Sequence, residues 1–276
     1  MSVQSATQQV NIIKRHPIPS FFIITYAFSW AIGSLLVADQ QGLVSVPKAL
    51  HYVSAFGPAV AAIIVTALIS GRAGLADLWQ RIIRVQVGWR WWLIGVGTPL
   101  GLALIAILIH IVNQGTMPDL NLFGNVDYLG NIGVFAALAL WIATYGFGEE
   151  IGWRGFAFHR MSDGGWVKAA VLIGVLWGAW HLPYFFYKDN FIALGVGGFF
   201  GYVVSITMGS ILMAWIYKGS NQSILLVALW HGLFDFVSAS PVADGASNAV
   251  ISGIVIVWVI IILRQTARTR AIATAS

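Results

Sequence analysis

The only two glutamates of this chain are adjacent, Glu149 and Glu150, in the string Gly148-Glu149-Glu150-Ile151-Gly152-Trp153-Arg154. Neighbouring residues on a helix point about 100° apart, so one carboxylate can face a cavity while the other serves a structural partner. Arg154 lies four residues after Glu150, the favourable direction for a helical ion pair, which leaves Glu149 the freer carboxylate and a candidate general base. A second string, Trp177-Gly178-Ala179-Trp180-His181-Leu182-Pro183, sets Trp177 and His181 on one helical face, and a third, Trp230-His231-Gly232-Leu233-Phe234-Asp235, does the same for His231 and Asp235. Carboxylates and imidazoles together can activate a water and receive the oxyanion of a tetrahedral intermediate, which is the chemistry of peptide-bond hydrolysis. The same donors, Glu149, His181, His231 and Asp235, are competent ligands for a divalent metal such as zinc. The plainer alternative makes Glu149, Glu150 and Arg154 ordinary charges at a helix end. His16, His51, His110 and His159 sit near expected span ends and read as structural.

The elements that must position these residues are membrane helices. Of 276 residues 58% are hydrophobic and 9% charged, against about 25% charged in a soluble domain; mean hydropathy is +0.81. Ionisable groups inside a bilayer cost on the order of 2.5 to 3.5 kcal/mol each, so the few that remain are functional candidates. Apolar runs near residues 18–37, 50–69, 91–112, 132–147, 167–187, 191–217, 223–237 and 249–263 predict an all-α polytopic membrane protein of about eight transmembrane helices, the fourth, seventh and eighth short or interrupted. The first run is too long for a signal-peptide core. The fourth would end just before Glu149. With the N-terminus cytoplasmic, thirteen of the fifteen Lys and Arg fall on the inner side and only Lys48 and Lys188 on the outer, which places both termini in the cytoplasm of a cell-membrane protein. Such flanking basic residues are a topology signal and not a nucleic-acid face.

Between the second and third runs, Leu75, Leu78, Ile82 and Val85 recur at helical spacing with Arg72, Arg81 and Arg84 on the polar side, as in an interfacial amphipathic helix. Gly174 with Gly178, and Gly197 with Gly201, have the spacing that lets membrane helices approach closely. No repeat or linker divides the chain, so 1–276 reads as one domain. The absence of cysteine removes disulfides, thiol nucleophiles and thiolate ligands. Also absent are the His-Glu-x-x-His, Gly-x-Gly-Asp and Gly-x-Ser-Gly strings of other intramembrane proteases.

The three strings together resemble the CPBP family of intramembrane proteases, which includes the CAAX prenyl endopeptidases. Glu149-Glu150-x-x-x-Arg154 matches the first motif; Trp177-x-x-x-His181 stands where the family has Phe-x-x-x-His; His231-x-x-x-Asp235 stands where it has His-x-x-x-Asn. Phe56-Gly57-Pro58 also looks like the family, and the likeness covers roughly 50–240, the expected catalytic core. The resemblance implies that Glu149 and His181 activate water, that His231 and residue 235 hold the substrate carbonyl, that Glu150 and Arg154 complete the site, and that Trp177 and Trp230 wall the pocket. An ionised aspartate only accepts hydrogen bonds, so Asp235 can orient His231 or ligate a metal but cannot donate to an oxyanion. The implied substrate is a membrane-embedded or lipidated peptide, in a site expected to open toward the cytoplasmic half of the membrane. A non-catalytic scaffold of the same fold and an ion- or proton-coupled transporter are the competing readings, the latter without an inverted repeat to support it. Oligomeric state and substrate identity are not legible.

Overall fold

The computed structural model describes residues 12–243 and 245–275. Among the described residues the longer helices are, in order, α1 (Pro17–Gln40), α2 (Leu50–Ile82), α3 (Trp89–Gln114), α4 (Val134–Gly164), α5 (Trp166–Trp180), α6 (Asp189–Gly219), α7 (Ile224–Ser238) and α8 (Gly245–Ala275). Among the described residues seven are long and apolar enough to cross a membrane, α5 together with the 3-10 turn Leu182–Phe186 that continues it. The exception is α7, whose 15 residues fall short of the roughly 20 that crossing requires. Packing explains why it can be short: Ile224, Leu226, Val227 and Ala228 are fully buried, against α3 and α4, so α7 meets protein where the other helices meet lipid. The α3–α4 connection carries a small hairpin, β1 (Asn125–Val126) and β2 (Gly130–Asn131).

The main departure from the sequence expectation is α4. The apolar run ends near residue 147, yet the helix continues to Gly164, because Trp153, Phe156, Ala157 and Phe158 are buried and supply the packing that the intervening charges lack. Glu149 and Glu150 therefore lie halfway along a 31-residue helix, in the protein interior, and not at an interfacial helix end. The backbone widens to π-helix at Ile142–Glu149 and again at Trp153–Phe158, a local irregularity frequent at functional sites. Two glycines bring the neighbouring helices against this stretch. A Cβ at Gly146 would stand 2.5 Å from the Ala228 carbonyl oxygen of α7, and one at Gly152 would stand 2.4 Å from Pro58 Cβ of α2.

Two smaller expectations are corrected. The segment after the second span is a separate helical stretch set off by a kink at Gly71 (φ 57°), but Arg81 is not on its polar side. Arg81 is buried, with Nε and Nη2 on Asp77 and Nη1 donating to the Gly155 carbonyl (2.7 Å) and the Tyr217 hydroxyl (2.8 Å), so it ties α2 to α4 and α6. Of the glycine pairs, Gly174 and Gly178 do bring α5 onto Thr207 and Val203 of α6, whereas a Cβ at Gly197 or Gly201 would meet open space.

Candidate active site

The motif residues converge on a cavity of about 920 Å³, lined by Glu149, Trp177, His181, Trp230, His231 and Asp235. Trp177 is its hub. Its indole Nε1 donates to Glu149 Oε2 (2.5 Å), which also receives Trp153 Nε1 at 3.3 Å. Its ring centroid lies 6.0 Å from that of His181 and 5.2 Å from that of His231. Glu149 Oε1 has no protein partner among the described residues.

His181 caps the C-terminus of α5, and its Nδ1 lies 2.8 Å from the Trp177 carbonyl oxygen. A carbonyl only accepts, so Nδ1 carries the proton, and Nε2 of the neutral ring keeps its lone pair free, without a protein partner among the described residues. Pro183 then prevents regular continuation of α5, and the chain turns into the 3-10 segment.

His231 is held from both sides. Its Nδ1 donates to Glu150 Oε1 (2.9 Å) and its Nε2 lies 3.3 Å from Asp235 Oδ2, one helical turn on. Glu150 Oε1 also receives Arg154 Nη1 at 2.7 Å. Glu150 and Arg154 are buried at 0% and 1% exposure and do not line the cavity; the pair stands behind it, with Arg154 Cζ 4.8 Å over the Trp177 ring. Glu150 Oε2 and Arg154 Nη2 are buried without a hydrogen-bond partner. Trp230 donates Nε1 to Thr98 Oγ1 (3.1 Å) and stacks on Phe234 at 5.1 Å, which fixes its wall of the cavity.

The four candidate metal ligands share the cavity without forming a ready ligand set. Among the described residues no group of three His, Asp or Glu side chains is gathered closely enough to hold an ion. His231 has both ring nitrogens committed to carboxylates, so it would have to give up one before it could ligate.

Sequence reasoning passed over the opposite end of the cavity. His51, read as structural, lies within hydrogen-bond distance of two phenols, Tyr187 at Nδ1 and Tyr145 at Nε2, each 2.7 Å away, and all three groups are buried. His51, Tyr145 and Tyr184 line the cavity. Outside the spans, the Tyr187 phenol is held above its ordinary range by burial, and that of Tyr128 is pushed up to about 12 by burial and the neighbouring Asp127 carboxylate. Lys188 completes this end, its Nζ 2.8 Å from Asp127 Oδ2. The available signal was the run Tyr184-Phe185-Phe186-Tyr187-Lys188, but such aromatic clusters ordinarily mark a membrane interface.

The exposed lining residues are Asp127 and Tyr128 on the α3–α4 connection, Asp189, Asn190 and Leu194 near the start of α6, Ser205 farther along α6, and Ala239 and Pro241 after α7. The other end of the bundle is the one tied together by Arg81, Tyr217 and the Arg84–Asn221 contact, near the cluster of basic residues. Asp127, Tyr128, Asp189 and Asn190 thus lie at the end of the bundle away from Arg81 and Tyr217.

Residues 131–237 match the family model described as type II CAAX prenyl endopeptidase Rce1-like. The chain is also 28% identical over 137 residues to CAAX prenyl protease 2 of Methanococcus maripaludis, an alignment covering 48% of this chain and 49% of that one. The chain thus spans about half the length of the curated relative it matches. The matched segment runs from just before α4 to the end of α7 and contains every motif residue around the cavity, so this part of an all-α polytopic membrane protein is similar to the type II CAAX prenyl endopeptidases.

Proposed function

We propose that this protein is an intramembrane endopeptidase that hydrolyses a peptide bond of a membrane-associated peptide, a lipidated or otherwise apolar one. The observation that carries this reading is the pairing, in one buried cavity, of a carboxylate oxygen and an imidazole nitrogen that the protein leaves free: Glu149 Oε1 and His181 Nε2. Both accept protons, and a water between them is oriented by one and deprotonated by the other. The hydroxide adds to the substrate carbonyl carbon, the carbonyl oxygen takes up negative charge beside His231, and collapse of the tetrahedral intermediate breaks the C–N bond. The proton taken by Glu149 passes to the departing amine nitrogen. Glu150 and Asp235 position His231, and Arg154 balances Glu150. Apolar side chains of α6 and α8, among them Leu194, Met208, Met213 and Val255, line the rest of the cavity and suit the apolar part of the substrate. The name of the archaeal relative, a prenyl protease, agrees with a substrate of that kind.

The basic-residue asymmetry supports an orientation with both termini on the cytoplasmic side of the cell membrane, in which the end of the cavity at Tyr128 and Lys188 faces the other side. Because the chain is free of cysteine, a single cysteine introduced at position 128 reports this by its labelling with an impermeant maleimide in intact cells. Labelling only after permeabilisation refutes the assignment.

The direct test is cleavage of a membrane-peptide library by protein purified in detergent, beside Glu149→Ala and His181→Ala, with and without a chelator. Loss of cleavage in both variants is expected, since each removes one of the two groups on the water. With His231 doubly engaged, the chelator is expected to leave the rate unchanged. Robust cleavage by Glu149→Ala sinks the mechanism, and cleavage by no form, wild type included, favours a scaffold of this fold.

A further inference from the structure

Lys188 is the one Lys or Arg among the described residues that line the cavity. Its backbone is fixed by its own N–H on the Tyr184 carbonyl and by the N–H groups of Phe191 and Ile192 on its carbonyl. The residue is 8% exposed, and its ammonium lies 5.7 Å over the Phe191 ring. Its carboxylate partner is of another kind: the Asp127 side chain is 58% exposed. A buried cation matched to a solvated anion is a poor structural bargain, because the ammonium is desolvated while the attraction is screened by water. An ammonium also has three donors, and Asp127 is its one acceptor among the described residues.

Resting on the peptidase reading above, we propose that Lys188 is a specificity residue that binds a carboxylate of the peptide substrate. The carboxylate is either the free C-terminus or an acidic side chain. The layout of charge in the cavity favours this position over any other. At the motif end His231 and Arg154 are already engaged by Asp235 and Glu150, whereas Asp127 and Asp189 near Lys188 are exposed and screened. A carboxylate-bearing substrate is therefore oriented with its anionic end toward Lys188. The distance is short, since Lys188 lies seven positions after His181, most of them the 3-10 segment Leu182–Phe186, and at about 2 Å per position the span is roughly 14 Å. About four residues of extended peptide cover that span at roughly 3.5 Å each. The wall between is a ladder of rings, His181 to Tyr184 at 5.1 Å and Tyr184 to Tyr187 at 5.6 Å.

The test uses the full-length protein in detergent and apolar peptides in three forms: free C-terminal acid, C-terminal amide, and amide with one aspartate within four residues of the cut. Cleavage is followed for the wild type, and binding is followed by tryptophan quenching in Glu149→Gln, since Trp141, Trp177 and Trp230 line the cavity. The wild type is expected to prefer the acid over the amide by about tenfold to a hundredfold, the range of a charge-assisted hydrogen bond. Lys188→Met brings the acid down to the level of the amide, and Lys188→Arg retains the preference. Rescue of the amide by the aspartate identifies a side-chain carboxylate as sufficient; no rescue assigns the site to the C-terminus. Asp127→Asn separates this role from a merely structural latch, because it breaks the ion pair and leaves the cation. Retained or increased acid preference in Asp127→Asn supports the proposal, and loss equal to that of Lys188→Met overturns it. A wild type indifferent to acid or amide in binding overturns it too. Acid-selective binding without cleavage by any form would refute the peptidase reading while leaving the assignment of Lys188 intact.

Discussion

Glu150→Gln removes one negative charge from the interior while keeping the shape of the side chain and an acceptor oxygen. In the native protein Glu150 Oε1 takes a hydrogen bond from Arg154 at 2.7 Å and one from His231 at 2.9 Å, and neither Glu150 nor Arg154 is more than 1% exposed. The substitution leaves the guanidinium as an uncompensated charge with no route to water. Breaking a buried pair in this way costs about 3 to 5 kcal/mol. At roughly 2 to 4 °C per kcal/mol for a chain of this size, the melting temperature falls on the order of 10 °C. The assay is thermal unfolding of detergent-purified protein, which needs no substrate and does not depend on the proposed activity. A double variant makes the reasoning exacting. Arg154→Met keeps an apolar stem against Trp177 and removes the stranded charge, so Glu150→Gln combined with Arg154→Met recovers more than half of the loss. A double variant as unstable as the sum of the two singles, or a Glu150→Gln protein as stable as the wild type, refutes the claim that charge balance between these two groups holds the centre of α4.

Three further outcomes follow from the same geometry. Trp177→Phe keeps the aromatic wall but removes the indole donor to Glu149 Oε2; losing a hydrogen bond to a charged group lowers kcat about tenfold without abolishing activity, and an unchanged kcat in the peptide-cleavage assay contradicts it. Asp235→Asn restores the amide of the family motif and supplies a donor where an ionised carboxylate has none, so kcat rises, by about tenfold if the amide reaches the oxyanion; a fall in kcat would show that orienting His231 matters more. Gly152→Ala forces a methyl to within 2.4 Å of Pro58 Cβ and destabilises the protein by about 1 to 3 kcal/mol. Gly197→Ala, facing open space, is neutral or stabilising by up to about 1 kcal/mol, and equal melting temperatures for the two glycine variants would show that the close approach of α2 and α4 carries no weight.

Much of the site was readable from local pattern alone. A chain with 9% charge and two adjacent glutamates marks its own chemistry, because each ionisable group in an apolar helix is costly and must have a use. Helical spacing placed His231 beside Asp235 and Glu150 beside Arg154, and both pairs are close in the structure, since residues four apart meet on a helix whatever surrounds it. The same arithmetic placed Trp177 on the face of His181, and the structure adds that the Trp177 carbonyl lies against His181 Nδ1.

Contacts between helices were not readable in this way. Hydropathy ended the fourth span at residue 147 because it scores each residue by its transfer from water to lipid. Burial of Trp153, Arg154 and Phe156 against other helices carries α4 on to Gly164. Arg81 read as a polar-face residue until its partners, Gly155 and Tyr217, were brought to it from α4 and α6. His51 looked like a span-end histidine because its partners, Tyr145 and Tyr187, are 94 and 136 residues away in sequence. The sequence by itself determined the membrane-helical class, the order of the motifs and the residues able to move protons, all properties of single residues and of neighbours within a helical turn. Only the tertiary structure decided that the motif residues of α4, α5 and α7 share one cavity, that Lys188 and His51 line its other end, and that His231 is clasped between two carboxylates. These depend on which helices pack together, and although the spacing of Gly174 and Gly178 announced one close approach, the contacts of Gly146 with Ala228 and of Gly152 with Pro58 had no such pattern.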